Sequence, residues 1–312
     1  MNFNFMSNRY VFYSISVLLI VASVLCLCIR GFNYGIDFKG GNIVHVTFNE
    51  PANESKIKAA ITEIGKTTPL YFTADNIVVQ AVSGSQEREF IIQYPAAVRD
   101  TAESAKVHDV IISELRKQMP FSDDLLETSN VGPTVGDEMK KGGILAAILS
   151  CIMILIYLAW RFDFASASGV VLAVVHDLII TLGFICASGM EFDTTVLAAV
   201  LTLLGYSVND SIVIFDRIRE NKRIAKVGTS YAKLVDDSIN QSLSRTMNTT
   251  ITTLLALIAL VLYGGDSIHS FAVALTFGSI IGTYSSNCLA ATMVADIFNA
   301  NNQKTLADAE AK

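Results

Sequence analysis

The chain has 312 residues, 52% of them hydrophobic, and a formal net charge of −6 at pH 7. Its mean hydropathy is +0.46, and its apolar share is above that of an ordinary soluble domain. An acidic chain without a basic domain is not built to hold nucleic acid, and its apolar residues come in runs long enough to cross a bilayer.

A hydrocarbon core of about 30 Å takes roughly 20 apolar helical residues. The first such run covers 10–30. It is long for a signal peptide, no A-x-A-like site follows it, and Cys26 and Cys28 lack a small residue just before them. It therefore reads as an uncleaved anchor. "FNYGIDFKGG" (32–41) comes next, with Asp37 among three glycines. Gly35, Gly40 and Gly41 allow tight backbone paths, which suits an elbow between a span and a domain.

About 100 residues of soluble composition follow. "NIVHVTF" (42–48) alternates and is β-branched, so it predicts a strand. "ANESKIKAAITEIG" (52–65) has helical spacing and ends on Gly65. "NIVVQAVS" (76–83) and "REFIIQYP" (88–95) read as a hairpin around "GSQE". "DTAESAKVHDVIISELRKQM" (100–119) is an amphipathic helix, and "LLETSNVGP" (125–133) a last strand. The order β-α-β-β-α-β is that of the ferredoxin-like fold, which by itself implies no function. His45 and His108 are isolated, and no metal cluster, phosphate loop or catalytic set is present. The domain reads as a binding or lever module, not an enzyme.

Five more runs follow, at 142–160, 166–187, 194–216, 246–263 and 270–297. The stretch from Asp216 to Arg245 holds seven Lys and Arg, whereas "SGMEFD" (188–193) and "YGGDSIH" (263–269) hold none. That asymmetry places both termini and the basic segment in the cytoplasm and the domain outside. Lys140 and Lys141 oppose it but flank a large domain, where the rule is weak. The five cysteines all lie in spans and read as packing residues without a disulfide framework. The expected fold class is an α-helical polytopic membrane protein with six spans and one exported α+β domain. Its parts are an N-terminus with the first span (1–31), the domain (32–139), a bundle (140–297) with a basic loop (217–245), and a polar tail (298–312).

Charged residues inside hydrocarbon cost several kcal/mol and usually mark function. Asp210 lies within the fourth span, beside Asn209 and with Ser207 and Ser211 close by. The fifth span opens with Arg245, Asn248, Thr249 and Thr252 at i, i+3, i+4 and i+7, a polar stripe on an apolar helix. Arg245 is long enough to reach toward Asp210. Two readings stand: a carboxylate that takes up and releases a proton, or a static ion pair that locks two helices. His176 and Asp177 lie near the middle of the third span, where they suit either a proton relay or interhelical hydrogen bonds. Adjacent helix positions point about 100° apart, so the two cannot share one face fully. Gly282, Thr283, Ser285 and Ser286 in the sixth span suit close helix packing.

"YGIDFKGG", "SNVGPTVGDEM" (129–139), "EFDTTVLAAVLTLLGYSVNDSIVIFDRIREN" (191–221) and "SINQSLSRTMNTTITTLLA" (238–256) together resemble the SecD/SecF family, over about residues 9–297 and closer to the SecF side. The resemblance implies one six-span half of an RND-type transporter. It implies a proton pathway through Asp210 and Arg245, with the gradient promoting late steps of preprotein translocation across the bacterial cytoplasmic membrane. It implies SecD as partner, the SecYEG translocon with its accessory subunits, an unfolded preprotein as substrate, and no cofactor. A half of a small-molecule exporter and a scaffold without proton coupling are the alternatives.

Overall fold

The structure, a computed structural model, describes residues 3–67, 77–81, 88–95, 101–131, 133–226 and 229–298. Among these, six helices are long and apolar enough to cross a membrane. They are α1 (Arg9–Ile29), α5 (Pro133–Arg161), α6 (Phe164–Ser188), α7 (Thr194–Ile224), α8 (Tyr231–Tyr263) and a last span, Ile268–Phe298, that takes in all but the first two residues of α9 (Asp266–Tyr284). The 21 residues of α1 reach about 32 Å at 1.5 Å per residue, which matches a bilayer core.

Local chemistry fixes several helix ends. Asp163 accepts from the Ser166 amide to cap α6, and Gly189 closes that helix at φ 71°. Asp193 accepts from the Val196 amide at 2.7 Å to cap α7. Pro133 opens α5, where its missing N–H costs nothing. The sixth span is not uniform: Ser285–Ala290 form a π-helical turn in its middle.

The segment expected as a basic loop over 217–245 is helical for most of its length. α7 continues to Ile224 and α8 begins at Tyr231. Leu234, Val235 and Ile239 pack into the cluster that holds Phe215 and Ile218. Those apolar residues recur at helical spacing, so burial of one face extends both helices beyond the bilayer.

The fourth span, α7, is central. It packs against α5, α6, α8, α9 and the π-turn. α1 lies on α6, and α8 on α7 and α9. α5 stays at the edge, with Ile144, Leu145, Ile148, Ile152 and Met153 turned outward as a lipid-facing side would be.

Between the first two spans the element order is β2 (Gly41–Phe48), α3 (Glu54–Thr67), β3 (Val78–Ala81), β4 (Glu89–Pro95), α4 (Thr101–Gln118) and β5 (Phe121–Val131). The strands form one antiparallel sheet in the order β3-β4-β2-β5. Val44, Val46 and Phe48 alternate into a core with Phe90, Ile92 and Tyr94, covered by Ile57 and Ile61 of α3 and Ile111 and Leu115 of α4. The "GSQE" turn and the chain after residue 298 lie outside the described residues.

The elbow is more ordered than a bare hinge. β1 (Asn33–Tyr34) pairs in parallel with β6 (Glu191–Phe192), just before α7. The short helix α2 (Ile36–Lys39) packs on α5 and ends at Gly40, whose φ of 76° suits glycine. Gly41 is the first residue of β2, paired with Pro95 and Val131. A Cβ on Gly35 would stand 3.1 Å from the Asp193 Cβ, so the elbow touches the α7 cap directly.

Candidate functional site

The central helix α7 buries one face along Val196, Ala199, Val200, Leu203, Ser207, Asp210, Ser211 and Ile214. The sequence puts small polar residues on that face where larger apolar ones would fill it. Neighbouring helices supply hydroxyls opposite them. Ser211 and Ser286 meet at 2.9 Å, and Ser286 donates to the Ser207 carbonyl at 3.2 Å. Thr250 of α8 meets Thr283 of α9 at 2.8 Å, and the Tyr206 hydroxyl reaches Thr250 at 3.4 Å. A band of hydroxyls therefore crosses the bundle from the fourth span to the fifth and sixth.

Asp210 sits in this band and is 2% exposed. The Thr283 hydroxyl lies near its carboxyl and is bonded to Thr250 and the Ser279 carbonyl. Its Oδ2 has no hydrogen-bond partner among the described residues. An unsatisfied buried acceptor costs about 1–3 kcal/mol, more when charged. Such an oxygen is suited to gain a proton or a transient donor. No ion pair within 4.0 Å joins Asp210 to Arg245 among the described residues; Arg161 pairs with Asp216 at 2.6 Å and Arg217 with Glu220 at the same end of the helix. Arg245 is exposed and lines a groove of about 430 Å³ between α7 and α8, together with Asn209, Asp216, Gln241 and Ser242. Asn209, the neighbour of Asp210 in sequence, faces that groove and not the buried band.

The fifth-span stripe also points differently from a simple reading. Arg245, Asn248 and Thr252 face outward, while Ser238, Ser242, Thr246 and Thr250 form the face buried in the bundle. Both faces are polar, because serine and threonine recur every four residues on the second. The side left open along Asn209, Arg245 and Asn248 is one that lipid solvates poorly.

His176 and Asp177 form a buried, hydrogen-bonded pair in the bundle. They are 3% and 1% exposed. His176 Nδ1 and Asp177 Oδ1 are 2.8 Å apart, so adjacent positions do converge by side-chain rotation. Asp177 Oδ2 accepts from Ser207 at 2.5 Å and from Ser285 at 2.7 Å. Ser285 belongs to the π-turn, and the small residues around it in the sequence suggest only close packing. Its signal was present: a hydroxyl in the sixth span is expected to find a partner across the bundle.

Asp37 is not a passive part of the elbow. Its carboxylate accepts from the Thr194 amide at 3.0 Å and the Thr194 hydroxyl at 2.5 Å. Glu191 lies beside this joint. Burial, with Asp193 and Asp37 nearby and Lys39 opposing, pushes its carboxyl above the usual range. Among the described residues no cluster of three or more His, Cys, Asp or Glu could hold a metal ion.

Comparison with known proteins gives a consistent picture. Residues 110–300 match the family described as protein export membrane protein SecD/SecF, C-terminal, and residues 27–52 match the SecD/SecF GG motif. Protein translocase subunit SecF of Rickettsia prowazekii is 37% identical over 300 residues, covering 96% of this chain and 92% of that protein. The Vibrio alginolyticus protein of the same description is 39% identical over 289 residues, covering 93% and 88%. The crystal structure of SecDF, a translocon-associated membrane protein from Thermus thermophilus, superposes with a TM-score of 0.79 at 33% identity. It covers 96% of this chain, which spans 39% of that longer one.

Proposed function

The chain belongs to the SecD/SecF family of protein export membrane proteins, and on that premise we propose that it is a proton-driven subunit of the Sec export machinery. It acts in the bacterial cytoplasmic membrane with both termini inside and the domain at 32–139 outside. The observation that carries the reading is Asp210: a carboxylate 2% exposed, in the central helix, with one oxygen that has no hydrogen-bond partner among the described residues. No ion pair within 4.0 Å fixes Asp210 to Arg245 among the described residues, so the carboxyl is free to change protonation. Asp210 takes up and releases the proton, and α7 responds by shifting along its neighbours.

SecD covers the polar side along Asn209, Arg245 and Asn248, as the second half of a twelve-span assembly. The length of the SecDF chain, of which this chain matches 39%, supports a fused pairing of that kind in a relative. The domain is read as a ferredoxin-like lever that handles an unfolded preprotein after it leaves SecYEG; its strand order β3-β4-β2-β5 supports that class.

The test is Asp210→Asn in membranes that hold the partner. Asn is nearly isosteric, so the complex should assemble at normal levels while gradient-driven export collapses and ATP-driven insertion persists. Normal gradient-dependent export by that variant would overturn the proton role and favour a scaffold. Loss of the protein itself would favour a structural role for the buried carboxyl over a proton role.

A further inference from the structure

The π-helical turn Ser285–Ala290 lies against α6 and α7 in the middle of the bundle. π-turns are rare, carry one residue more than the α-helical path needs, and often mark functional positions. This one places Ser285 on the Asp177 carboxylate and Ser286 on the Ser207 carbonyl and the Ser211 hydroxyl. Asp177 thus holds three helices together: α6 through its own backbone, α7 through Ser207, and the sixth span through Ser285. Gly282 shows how close the sixth span passes: a Cβ there would be in ordinary contact, 3.6 Å from Asp177 Oδ2.

The pair is complete on one side and open on the other. Asp177 Oδ1 faces His176 Nδ1, and Oδ2 has two hydroxyl donors. His176 Nε2 is buried and has no partner among the described residues. A ring nitrogen that is neither paired nor exposed at its second position is the place where a proton can be handed on. We propose that His176 and Asp177 form a second proton-holding site, one helix away from Asp210, whose charge state is read by the π-turn of the sixth span. This rests on the reading of the chain as proton-driven.

The chemistry balances within the pair. A proton from the transmembrane gradient binds Nε2 of neutral His176. The imidazolium gives its Nδ1 proton to Asp177 Oδ1, which leaves a neutral imidazole and a carboxylic acid. The negative charge that held two serine donors on Oδ2 is then gone. Both hydroxyls weaken their grip, and the sixth span is freed from α7 at the turn where its backbone already departs from α-helix. Loss of the proton restores the three-helix clasp.

The surroundings limit what else can titrate there. α1 carries no Asp, Glu, Lys or Arg between Arg9 and Arg30, only Tyr10, Tyr13, Cys26 and Cys28. α5 carries none between Lys141 and Arg161, only Cys151 and Tyr157. α7 brings Asp210 and Tyr206 between Asp193 and Asp216. The sixth span brings His269, Tyr284 and Cys288 between Asp266 and Asp296, with the Tyr284 ring 6.3 Å from His176. The Tyr284 hydroxyl is engaged by the Phe12 carbonyl and Ser16. Asp210 is the one other carboxylate that these faces present.

Difference infrared spectroscopy of the full-length chain in lipid vesicles, titrated across pH, tests the site. Two buried carboxyl groups should give two carbonyl-stretch bands. Asp210→Asn should remove one, and Asp177→Asn should remove the other. Ser285→Ala and Ser207→Ala keep the carboxyl and should each shift the second band while leaving the first in place. They carry the test if Asp177→Asn does not fold. A single band that disappears with Asp210→Asn, or a second band unmoved by both serine variants, would overturn the second site. If Asp210→Asn removes no band while the Asp177 band remains, the Asp210 reading fails and the second site stands.

Discussion

The Asp37 carboxylate accepts two hydrogen bonds from Thr194, one from the main-chain amide and one from the side-chain hydroxyl. Thr194 is the first residue of the helix that carries Asp210. Sixteen residues separate the two, roughly 24 Å along the axis at 1.5 Å per residue. The root of the extramembrane domain is therefore tied to the end of the helix whose middle holds the buried carboxylate. A shift of α7 along its axis moves Thr194 with it, and Thr194 moves Asp37.

Asp37→Ala should loosen that joint. Losing a side chain that serves as a helix cap costs about 1 kcal/mol. Amide exchange at Thr194 should then quicken about fivefold, the factor that 1 kcal/mol represents. Export should fall while the protein remains abundant and the Asp210 site is intact. Unchanged exchange at Thr194 would show that the joint contributes no stability.

Gly136 seats the second span against the elbow. A Cβ there would stand 2.9 Å from the Phe38 carbonyl oxygen and 3.1 Å from the Gly40 nitrogen, both backbone atoms that cannot swing aside. Gly136→Ala should destabilise the protein by about 1–3 kcal/mol, the usual cost of overpacking. Gly142, on the same helix with open space beside it, is the control: Gly142→Ala should be neutral or stabilising. Thermal unfolding of both variants in detergent measures the difference, and equal midpoints would refute the close fit.

The domain should lose stability in mild acid. His108 is half-buried against the Tyr94 hydroxyl, and burial holds it below the usual histidine range despite Asp109. The unfolded chain binds the proton more readily, so stability rises with pH through the window just below about 6.5 and is lost as pH falls through it. Hydrogen exchange in β4 and α4 of the full chain, corrected for intrinsic rates, should show lower protection at pH 5 than at pH 7.5. His108→Gln should flatten that dependence.

Orientation can be read chemically. Glu50 and Lys226 are both exposed, on the domain and at the opposite end of the bundle. A cysteine at Glu50 should react with an impermeant maleimide added outside the cell, and one at Lys226 should not. The reverse pattern would invert the proposed topology.

What the sequence determined by itself is what short-range pattern can encode. Runs of apolar residues located all six spans, and period-two and period-3.6 patterning located the domain's strands and helices, because these periods arise within one element. The same reasoning marked Asp210 and Asp177, since a charge inside an apolar run is visible without any neighbour. It misjudged 217–245, where counting Lys and Arg hid the spacing of Leu234, Val235 and Ile239. Only the tertiary structure decided which side chains meet. Asp37 and Thr194 are 157 residues apart in sequence, and Asp177 and Ser285 are 108 apart. It also decided that Arg245 and Asn248 face outward while Thr246 and Thr250 face in. With polar residues on both sides of that helix, its own sequence gives no preferred rotation. Packing against α7 and α9 supplies it, because only one rotation places Thr250 within hydrogen-bonding distance of Thr283.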